Sequence, residues 1–498
     1  MSRAPPHVAV IGAGIGGLAT ALRLAHGGLR VTVLERHDAP GGKMRQLPTA
    51  AGPADAGPTV LTLKPVFDAL FADVGLRLED VLTFNRQDLL ARHFWRDGAQ
   101  LDLMRDPDAS HENVARVFGG KAAAEFSAFS NRARQLYEAF DAPMMQSAVP
   151  TLPALVRDVA ANPHLLPAMD PARSFAASLN RQFSEPRLAQ LFARYATYVG
   201  GLPTASPALL GLIWHVESMG VWHVEGGMHR LAQAVADCAA HFGAQFHYDT
   251  HVTRIETQGG TACAVQTNDS RIAVDAVVFN GDPRALQSGA LGPVGTTALR
   301  RNATAPRSLS AHVMSFAAQP LGVPLAAHNV FFAQDPKGEY APLGKGRIQD
   351  DPTLYVCAQD RFEDAAHTAG PERFEIILNS PPLDPEKPPP EPEKVKQQCQ
   401  KLISDRLNDH GLQFTPTPPT ETMTGPQDFN RLFPVSTGSL YGRSPQGMMA
   451  AFNRPTARTA VQHLYLAGGG AHPGAGVPMA VLSARHAAAA ILSDLSSM

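Results

Sequence analysis

The chain has 498 residues, and its 43 lysines and arginines against 45 aspartates and glutamates give a formal net charge of −2 at pH 7. This balance argues against a protein that binds nucleic acid, which needs a basic surface, and a hydrophobic content of 44% excludes a wholly disordered chain. The length predicts two or more structural units, and four scattered cysteines without a C-x-x-C pair fit a reducing cytoplasm, with neither a disulfide framework nor a zinc site.

The first elements along the chain are predicted to be a strand, a helix and a second strand. His7–Ile11 and Arg30–Glu35 are short apolar runs of strand character, and Ile15–Ala25 between them has the composition of a helix. Together they predict a βαβ unit. A signal peptide is not indicated, because the chain runs from polar residues directly into this strand and its glycine turn.

The middle of the chain, from about residue 110 to 220, has a helical pattern. Ser206 followed by Pro207 predicts a capped helix that continues through Trp214. Prolines interrupt the uncharged run from Ala196 to Val216, so we expect no membrane-spanning segment there. Aromatic and apolar residues recur at helical spacing at Phe126, Phe129, Ala133, Leu136 or Tyr137, and Phe140.

The second half of the chain again combines strands with helices. A helix is predicted over Gly227–Phe242, and the proline-rich stretch Pro381–Lys394 is predicted to be a surface loop. The predicted strands of this half are Gln245–Tyr248, His251–Glu256, Ala273–Phe279 and His463–Ala467, and the last predicted helix is Pro478–Leu492.

The glycines between the first strand and the first helix predict a dinucleotide site. Gly12–Gly17 fits the pattern G-x-G-x-x-G, in which glycines allow a tight turn and a close approach of the backbone to a pyrophosphate. The helix that follows offers free N–H groups and the positive end of its dipole. Glu35 ends the second strand, where a carboxylate accepts hydrogen bonds from an adenosine ribose and disfavours NADP, so NAD and FAD remain.

The residues after Glu35 favour FAD. Arg36, the segment Ala39-Pro-Gly-Gly-Lys43 and the segment Asp55-Ala-Gly-Pro-Thr59 resemble the extended signature of the amine-oxidase and carotenoid-desaturase flavoproteins. In those families a basic residue, usually arginine where this chain has Lys43, lies by the diphosphate or the flavin. Lysine keeps the charge but lacks the bidentate fork.

The resemblance to bacterial carotenoid desaturases extends over nearly the whole chain. It includes Gly220–Met228, which opens the second FAD-contacting helix of the family, and the closing segment Leu466–Met479, which resembles the C-terminal FAD motif. The resemblance implies that Val252 meets the adenine through its backbone. The full set of residues implied to contact FAD is Gly12, Ala13, Gly14, Gly16, Gly17, Glu35, Arg36, Gly42, Lys43, Gly57, Pro58, Thr59, Val252, Gly468, Gly469, Gly476 and Val477.

The resemblance also implies a fold and a domain plan. We expect an α/β chain with a discontinuous, Rossmann-like FAD-binding domain of the amine-oxidase and desaturase type, and an inserted α+β domain for the substrate and for membrane contact. The FAD-binding domain is predicted to comprise residues 1–105, 220–300 and 430–498, and the substrate-binding domain residues 106–219 and 301–429.

Within the family, Gly42-Lys-Met-Arg and Val221-Trp-His-Val-Glu-Gly-Gly-Met-His most resemble the 1-hydroxycarotenoid 3,4-desaturases of purple photosynthetic bacteria. This implies desaturation of a 1-hydroxy or 1-methoxy acyclic carotenoid such as hydroxyneurosporene at C3–C4. Three alternatives stay open: a phytoene desaturase that makes several desaturations, a flavin-dependent carotene isomerase, and a prenyl-lipid escort protein that shares the fold without redox chemistry. The terminal electron acceptor is not identified, and no metal is expected.

Desaturation removes a hydride and a proton from adjacent carbons of a polyene, and flavin N5 is the hydride acceptor that the resemblance implies. Because the cation left by hydride loss is delocalised, a weak base or water suffices to take the proton. The candidate bases are Asp141, His215, Glu217 and His472, and the sequence does not choose among them.

A carotenoid is insoluble in water, so we expect peripheral contact with the inner, photosynthetic membrane from the cytoplasmic side. The expected docking surface is an apolar face of the helical insert at about residues 110–220. The uncharged run Ala196–Val216 motivates this hypothesis, with Tyr198, Leu209, Leu210, Leu212, Ile213 and Trp214 as its apolar residues. The alternative is that this run packs in the protein core.

Overall fold

The computed structural model describes residues 4–362 and 370–496. The strands in these ranges are β1 His7–Ile11, β2 Arg30–Leu34, β3 Gln46–Leu47, β4 Ala54–Asp55, β5 Phe84–Arg86, β6 Leu89–Phe94, β7 Gln100–Met104, β8 Trp222–Val224, β9 Gln245–His247, β10 Val252–Gln258, β11 Thr261–Thr267, β12 Arg271–Ala273, β13 Ala276–Phe279, β14 Ser310–Gly322, β15 His328–Phe331, β16 Leu354–Ala358, β17 Glu372–Ser380, β18 Leu412–Thr415, β19 Met423–Thr424 and β20 Leu464–Leu466. The α-helices are α1 Ile15–His26, α2 Lys64–Ala72, α3 Pro107–Phe118, α4 Gly120–Phe140, α5 Leu152–Ala161, α6 Leu165–Met169, α7 Phe175–Gln182, α8 Pro186–Ala193, α9 Leu212–Ser218, α10 Met228–His241, α11 Pro283–Gln287, α12 Val294–Ala298, α13 Pro336–Gly344, α14 Pro392–Asp409, α15 Pro426–Leu432 and α16 Val477–Ser496.

A five-stranded parallel sheet forms the first unit, in the order β20-β13-β1-β2-β9. One face packs on helices α1, α10 and α16, and the other face packs on the antiparallel sheet β10-β11-β12, so apolar side chains are buried on both sides. The predicted βαβ unit and the predicted C-terminal strand and helix are confirmed. The strand predicted over Ala273–Phe279 is two short strands, because β12 pairs with β11 whereas β13 pairs with β1.

A second sheet has the order β18-β14-β17-β16-β15-β6-β7, with β19 paired to β14. Its strands are mostly antiparallel, and β15 runs parallel to β6. Strands β6 and β7, at residues 89–104, therefore belong to the sheet formed by strands of the region 301–429 and not to the parallel sheet. The predicted plan assigns residues 1–105 to the FAD-binding domain, so these two strands belong to a sheet outside the domain expected for them. The division into domains stays a prediction. The fold is the expected α/β arrangement of a Rossmann-like sheet and an inserted unit.

The insert between β7 and β8 is helical, as predicted, and contains α3 to α9. The aromatic residues that recur along α4 are buried against α7, α8 and α9, where the rings of Phe129 and Phe192 are in tilted contact with their centroids 4.5 Å apart. The helix predicted from Pro207 to Trp214 begins instead as a 3₁₀ turn at Ala208–Gly211 and becomes α-helical at Leu212. The Ser206 hydroxyl does not cap it, because that oxygen is buried without a hydrogen-bond partner among the described residues.

The stretch Pro381–Lys394 is exposed over most of its length, as predicted, although its last residues already belong to α14, which begins at Pro392. Within residues 4–362 and 370–496, no helix is long and apolar enough to cross a membrane. The same ranges contain no cluster of histidine, cysteine or carboxylate side chains that could hold a metal ion.

Candidate active site

One large cavity of about 860 Å³ begins at the carboxyl ends of the parallel strands. The loops after β1, β2, β13 and β20 open into it, which is where α/β sheets bind their ligands. The cavity continues between the two sheets to the helical insert, where α9 and the 3₁₀ turn before it form a wall. A single space therefore joins the predicted dinucleotide site to the substrate side of the molecule.

The first and last glycine loops touch each other in this cavity. A Cβ atom at Gly16 would lie 2.6 Å from the Gly468 Cα, so both positions need glycine for this close approach. A Cβ at Gly17 would lie 2.1 Å from the Gly12 carbonyl oxygen, which explains how α1 packs directly on the turn that precedes it. Helix α1 has no side chain capping its N-terminus, so its first N–H groups are available to a bound phosphate.

Asn280, at the carboxyl end of β13, holds these loops together and was missed in the sequence. Its Nδ2 donates to the carbonyl oxygens of Gly12, at 3.3 Å, and Gly14, at 3.2 Å. Its side chain also lies against the backbone of Gly468. The signal that could have revealed it is its place directly after a predicted strand of the parallel sheet, where ligand-binding loops begin.

Glu35 links the second strand to the glycine turn. One carboxylate oxygen accepts from the backbone N–H of Ala13 at 2.7 Å, and the other accepts from the N–H of His37 at 2.9 Å. Each oxygen has a second lone pair, so the carboxylate can still accept from a ribose hydroxyl. Arg36 and Val252 line the same end of the cavity as Glu35, which is compatible with the predicted adenosine end of FAD.

The segments around Lys43 and Gly57 form the next part of the wall. Gly14 and Gly41 form a parallel bridge, so the second glycine pair packs on the first glycine loop. A Cβ at Gly57 would lie 2.0 Å from the Lys43 carbonyl oxygen. The Lys43 ammonium donates to the Leu440 carbonyl, and burial lowers its pKa to about 8.

A basic group flanks the closing glycine loop. Arg454 donates from Nη1 to the Gly469 carbonyl at 2.7 Å, and burial lowers its pKa to about 10. Arg307 forms an ion pair with Asp282 close by, and Asp282 and Arg454 both line the cavity. The positive charges, the uncapped helix and the glycines without Cβ atoms together fit a diphosphate.

The structure thus brings the predicted cofactor residues to one cavity, with two exceptions that lie just behind its surface. Ala13 and Gly17 do not line the cavity, although Ala13 holds Glu35 and Gly17 packs on Gly12. The predicted residues that do line it are Gly12, Gly14, Gly16, Glu35, Arg36, Gly42, Lys43, Gly57, Pro58, Thr59, Val252, Gly468, Gly469, Gly476 and Val477. Their assignment as FAD contacts stays a prediction.

Asp55 caps the helix α10 from a distance. Gly227, at the N-cap position, has no side chain, and the Asp55 carboxylate accepts from the backbone N–H of Met228 at 2.6 Å. The Asp55 backbone N–H donates to the Oε1 of Gln359 at 2.9 Å. Asp55 is 8% exposed, and burial raises its pKa.

Replacing Asp55 by alanine is expected to destabilise the protein by about 2 kcal/mol, because α10 loses its cap and a buried N–H loses its partner. Thermal unfolding followed by circular dichroism measures this as a lower midpoint. Asp55→Asn is the matched control, since it keeps one acceptor oxygen and should lose less. An alanine variant that melts with the wild type would show that Asp55 does not hold α10.

The far wall of the cavity is largely apolar. Thr59, one of the residues predicted to contact FAD, has its Oγ1 2.7 Å from the Tyr355 Oη, which also lies 2.7 Å from the His328 Nδ1. Beyond these polar side chains, the wall is formed by Leu209, Leu210, Leu212, Ile213, Val216, Val221 and Val330.

This placement corrects the hypothesis on the uncharged run. Leu209, Leu210, Leu212 and Ile213 face an internal cavity, and Trp214 and Ala196 are buried, so Ala196–Val216 is not an exposed docking surface. Tyr198 also lines the cavity. Leucines that surround an apolar ligand and leucines that would contact lipid look the same in a sequence.

The structure separates the four candidate bases. Asp141 and His215 do not line the cavity: Asp141 accepts from the Gln146 side chain at 2.9 Å, and His215 packs on Tyr137 with its pKa lowered by burial. His472 and Glu217 do line it.

His472 is almost completely buried. Its Nε2 donates to the Ser147 carbonyl at 2.8 Å, and its Nδ1 is buried without a partner in the described part of the chain. Burial lowers its pKa, so it is a neutral ring fixed by one hydrogen bond, with no nitrogen open to the cavity.

Glu217, on α9, has one carboxylate oxygen engaged and the other free. Its Oε1 accepts from the Tyr195 Oη at 2.8 Å, and no hydrogen bond to Oε2 is formed by any residue in the described ranges. Burial raises its pKa to about 7, against the opposing effects of Tyr195 and Arg194. It is therefore the one candidate of the four that combines a place on the cavity wall with a carboxyl that titrates near neutral pH.

Comparisons with known proteins identify the family of the chain. A family model described as flavin containing amine oxidoreductase matches residues 15–492. The chain is 51% identical over 498 residues to the hydroxyneurosporene desaturase of Cereibacter sphaeroides, covering 100% of this chain and 99% of that protein. It is 48% identical over 494 residues to the hydroxyneurosporene desaturase of Rhodobacter capsulatus, covering 99% of each. An oxidoreductase from Methanosarcina mazei has the same fold, with a TM-score of 0.61, 16% identity and coverage of 98% of this chain and 100% of the other.

Proposed function

We propose a reaction for this chain, which belongs to the flavin-containing amine oxidoreductases and, within them, to the family of the hydroxyneurosporene desaturases. It is an FAD-dependent desaturase of carotenoid biosynthesis, and its substrate is a 1-hydroxy or 1-methoxy acyclic carotenoid such as hydroxyneurosporene, desaturated at C3–C4. The observation that carries the proposal is the continuous cavity, with glycine loops and basic groups at one end and an apolar wall at the other. A long polyene fits such a wall.

The cofactor end of the cavity would hold FAD through the residues described above. The α1 N-terminus and Arg454 face the place where a diphosphate fits, and Glu35 can accept from the adenosine ribose. Bound FAD supplies the acceptor for the hydride, and so for the electron pair, that leaves one carbon of the C3–C4 bond. The residues of the chain bind the substrate, exclude water and take up the proton from the other carbon.

Glu217 is our proposed proton acceptor. Its Oε2 is the free oxygen of a carboxyl on the cavity wall, and a base is most effective when its pKa lies near the working pH. As the C–H bond breaks, its electron pair forms the new double bond, and the proton ends on the carboxylate. Tyr195, which donates to the other oxygen, keeps the carboxyl oriented.

The function is tested by incubating the FAD-loaded protein with hydroxyneurosporene and an electron acceptor and analysing the pigments. We expect a product with one more conjugated double bond. Multi-step conversion of phytoene would favour the phytoene desaturase alternative, and a product with an unchanged number of hydrogens would favour an isomerase. A purified protein without flavin absorbance would favour the lipid escort alternative.

We further propose that the protein takes its substrate from a membrane through helix α5 and the residues beside it. This helix has no buried residue, and Val149, Leu152 and Val156 are 59%, 43% and 58% exposed. The segment follows directly after Met144 and Met145, which line the cavity. Partly exposed side chains of this size gain about 1 kcal/mol each on entering lipid, which suffices for reversible binding when several act together.

Flotation with neutral liposomes tests this surface. The wild-type protein is expected to float with the liposomes, whereas Leu152→Asp and Val156→Asp together should leave it in the bottom fraction with its FAD content unchanged. Leu321→Asp is the matched control, because Leu321 is 49% exposed on β14, away from the insert. Equal flotation of the double variant and the wild type would exclude α5 as the docking element.

A further inference from the structure

Arg194 is a half-buried cation on the apolar side of the cavity. It follows α8 and lines the cavity wall, and its Nη1 donates to the Tyr198 Oη at 2.9 Å. Its guanidinium also lies over the rings of Tyr198 and Tyr355, 5.0 and 5.3 Å from their centroids. No carboxylate in the described ranges forms an ion pair with it, although Glu217 is near enough for Arg194 to lower the pKa of that carboxyl.

This arrangement leaves donor capacity unused. A guanidinium has five N–H donors, and the described residues accept from one nitrogen only. Its Nε and Nη2 have no partner among the described residues and are not fully enclosed by the protein, so they can donate to a ligand in the cavity, and the aromatic rings stabilise the charge in part. A ligand atom that accepts hydrogen bonds from Arg194 would satisfy these donors.

A hydrocarbon polyene has no such atom, but a 1-hydroxy or 1-methoxy carotenoid has one. Its oxygen is on C1, separated by one methylene from the C3–C4 bond, so the oxygen must lie close to the reacting carbons. Arg194 lies over the ring of Tyr355, whose hydroxyl is 2.7 Å from the Oγ1 of Thr59, one of the residues predicted to contact FAD.

We propose that Arg194 recognises the oxygen on C1 of the substrate by donating hydrogen bonds to it, and that Tyr198 and Tyr355 hold the guanidinium in position. This inference rests on the proposed function and names the group that determines its substrate specificity. Because hydroxyl and ether oxygens both accept hydrogen bonds, Arg194 binds both types of substrate.

The test compares the binding of two pigments, hydroxyneurosporene and the hydrocarbon neurosporene, to the FAD-loaded protein in detergent. Binding is measured by the quenching of tryptophan fluorescence. The wild type is expected to prefer the hydroxylated pigment by about tenfold to a hundredfold, the value of a charge-assisted hydrogen bond. Arg194→Met should remove this preference while leaving neurosporene binding unchanged. Arg194→Lys should retain part of it, and methoxyneurosporene should behave like the hydroxylated pigment.

Two outcomes overturn the inference. If Arg194→Met keeps the preference for the hydroxylated pigment, another group recognises the oxygen. If it loses affinity for both pigments equally, Arg194 has a structural role only. If Arg194→Met loses FAD, Arg194→Lys replaces it, and an unchanged preference in that variant contradicts the inference. A wild-type protein that neither binds nor desaturates either pigment would instead refute the proposed function.

Discussion

Replacing Glu217 by glutamine is expected to lower kcat on hydroxyneurosporene by about 10²-fold or more, because the amide cannot take up the proton that leaves the substrate. KM and FAD content should stay close to wild type, since the amide keeps the size of the side chain and Glu217, on α9, is not one of the predicted FAD contacts. Steady-state kinetics with extracted pigments measure the change. Asp141→Asn is the matched control, because Asp141 does not line the cavity.

The pH dependence gives an independent check on this role. Only the ionised carboxylate accepts a proton, and the pKa of Glu217 is raised to about 7, so kcat should rise with pH through about 7 and fall below it. The kcat of Glu217→Gln should lack this dependence on pH. Tyr195→Phe removes a donor that stabilises the carboxylate, so the rise of kcat should move to higher pH. A glutamine variant with wild-type kcat would assign proton uptake to water or to another group.

Replacing Gly16 by alanine is expected to abolish FAD binding. The new Cβ would lie 2.6 Å from the Gly468 Cα and 2.8 Å from the Gly468 nitrogen, and both are backbone atoms that cannot rotate away. The loops after β1 and β20 must then separate, and with them the two sides of the predicted cofactor cradle. The ratio of flavin absorbance to protein absorbance after purification measures the loss.

Gly120→Ala is the control for this substitution. Gly120 begins α4, and a Cβ there would meet no atom within 4 Å. Both substitutions add one methyl group to a glycine, so a loss confined to Gly16→Ala reflects the contact between the loops. Full flavin content in the Gly16 variant would show that these loops can separate without consequence, and would contradict the assignment of the cradle.

Local patterns predicted the parallel sheet well. The strand β1, the helix α1 and the strand β2 follow from apolar runs, a glycine turn and a helix-forming stretch that are adjacent in the sequence. Asn280 could have been found by the same reasoning, because it directly follows a predicted strand. These features depend on neighbours in the chain, which is why the sequence reveals them.

The substrate side depends on distant neighbours and was predicted less well. Glu217 could not be distinguished from Asp141, because only the folded chain shows which carboxyl faces the cavity. Arg194 carries no local signal, since its stacking on Tyr355 joins residues far apart in the sequence. The leucines around Leu209 were expected at the surface for the same reason: hydrophobicity alone does not say which apolar environment surrounds a side chain.

The order of strands in the parallel sheet also bears on how the protein is made in the cell. Strand β13 pairs with β1 on one side and with β20 on the other, and α16 covers α1. The N-terminal glycine loop is therefore synthesised early but acquires its partner loop at Gly468 only after nearly the whole chain has been translated. If the two loops hold FAD as predicted, we expect cofactor uptake to be a late step and truncated products without residues 464–496 to lack the cofactor.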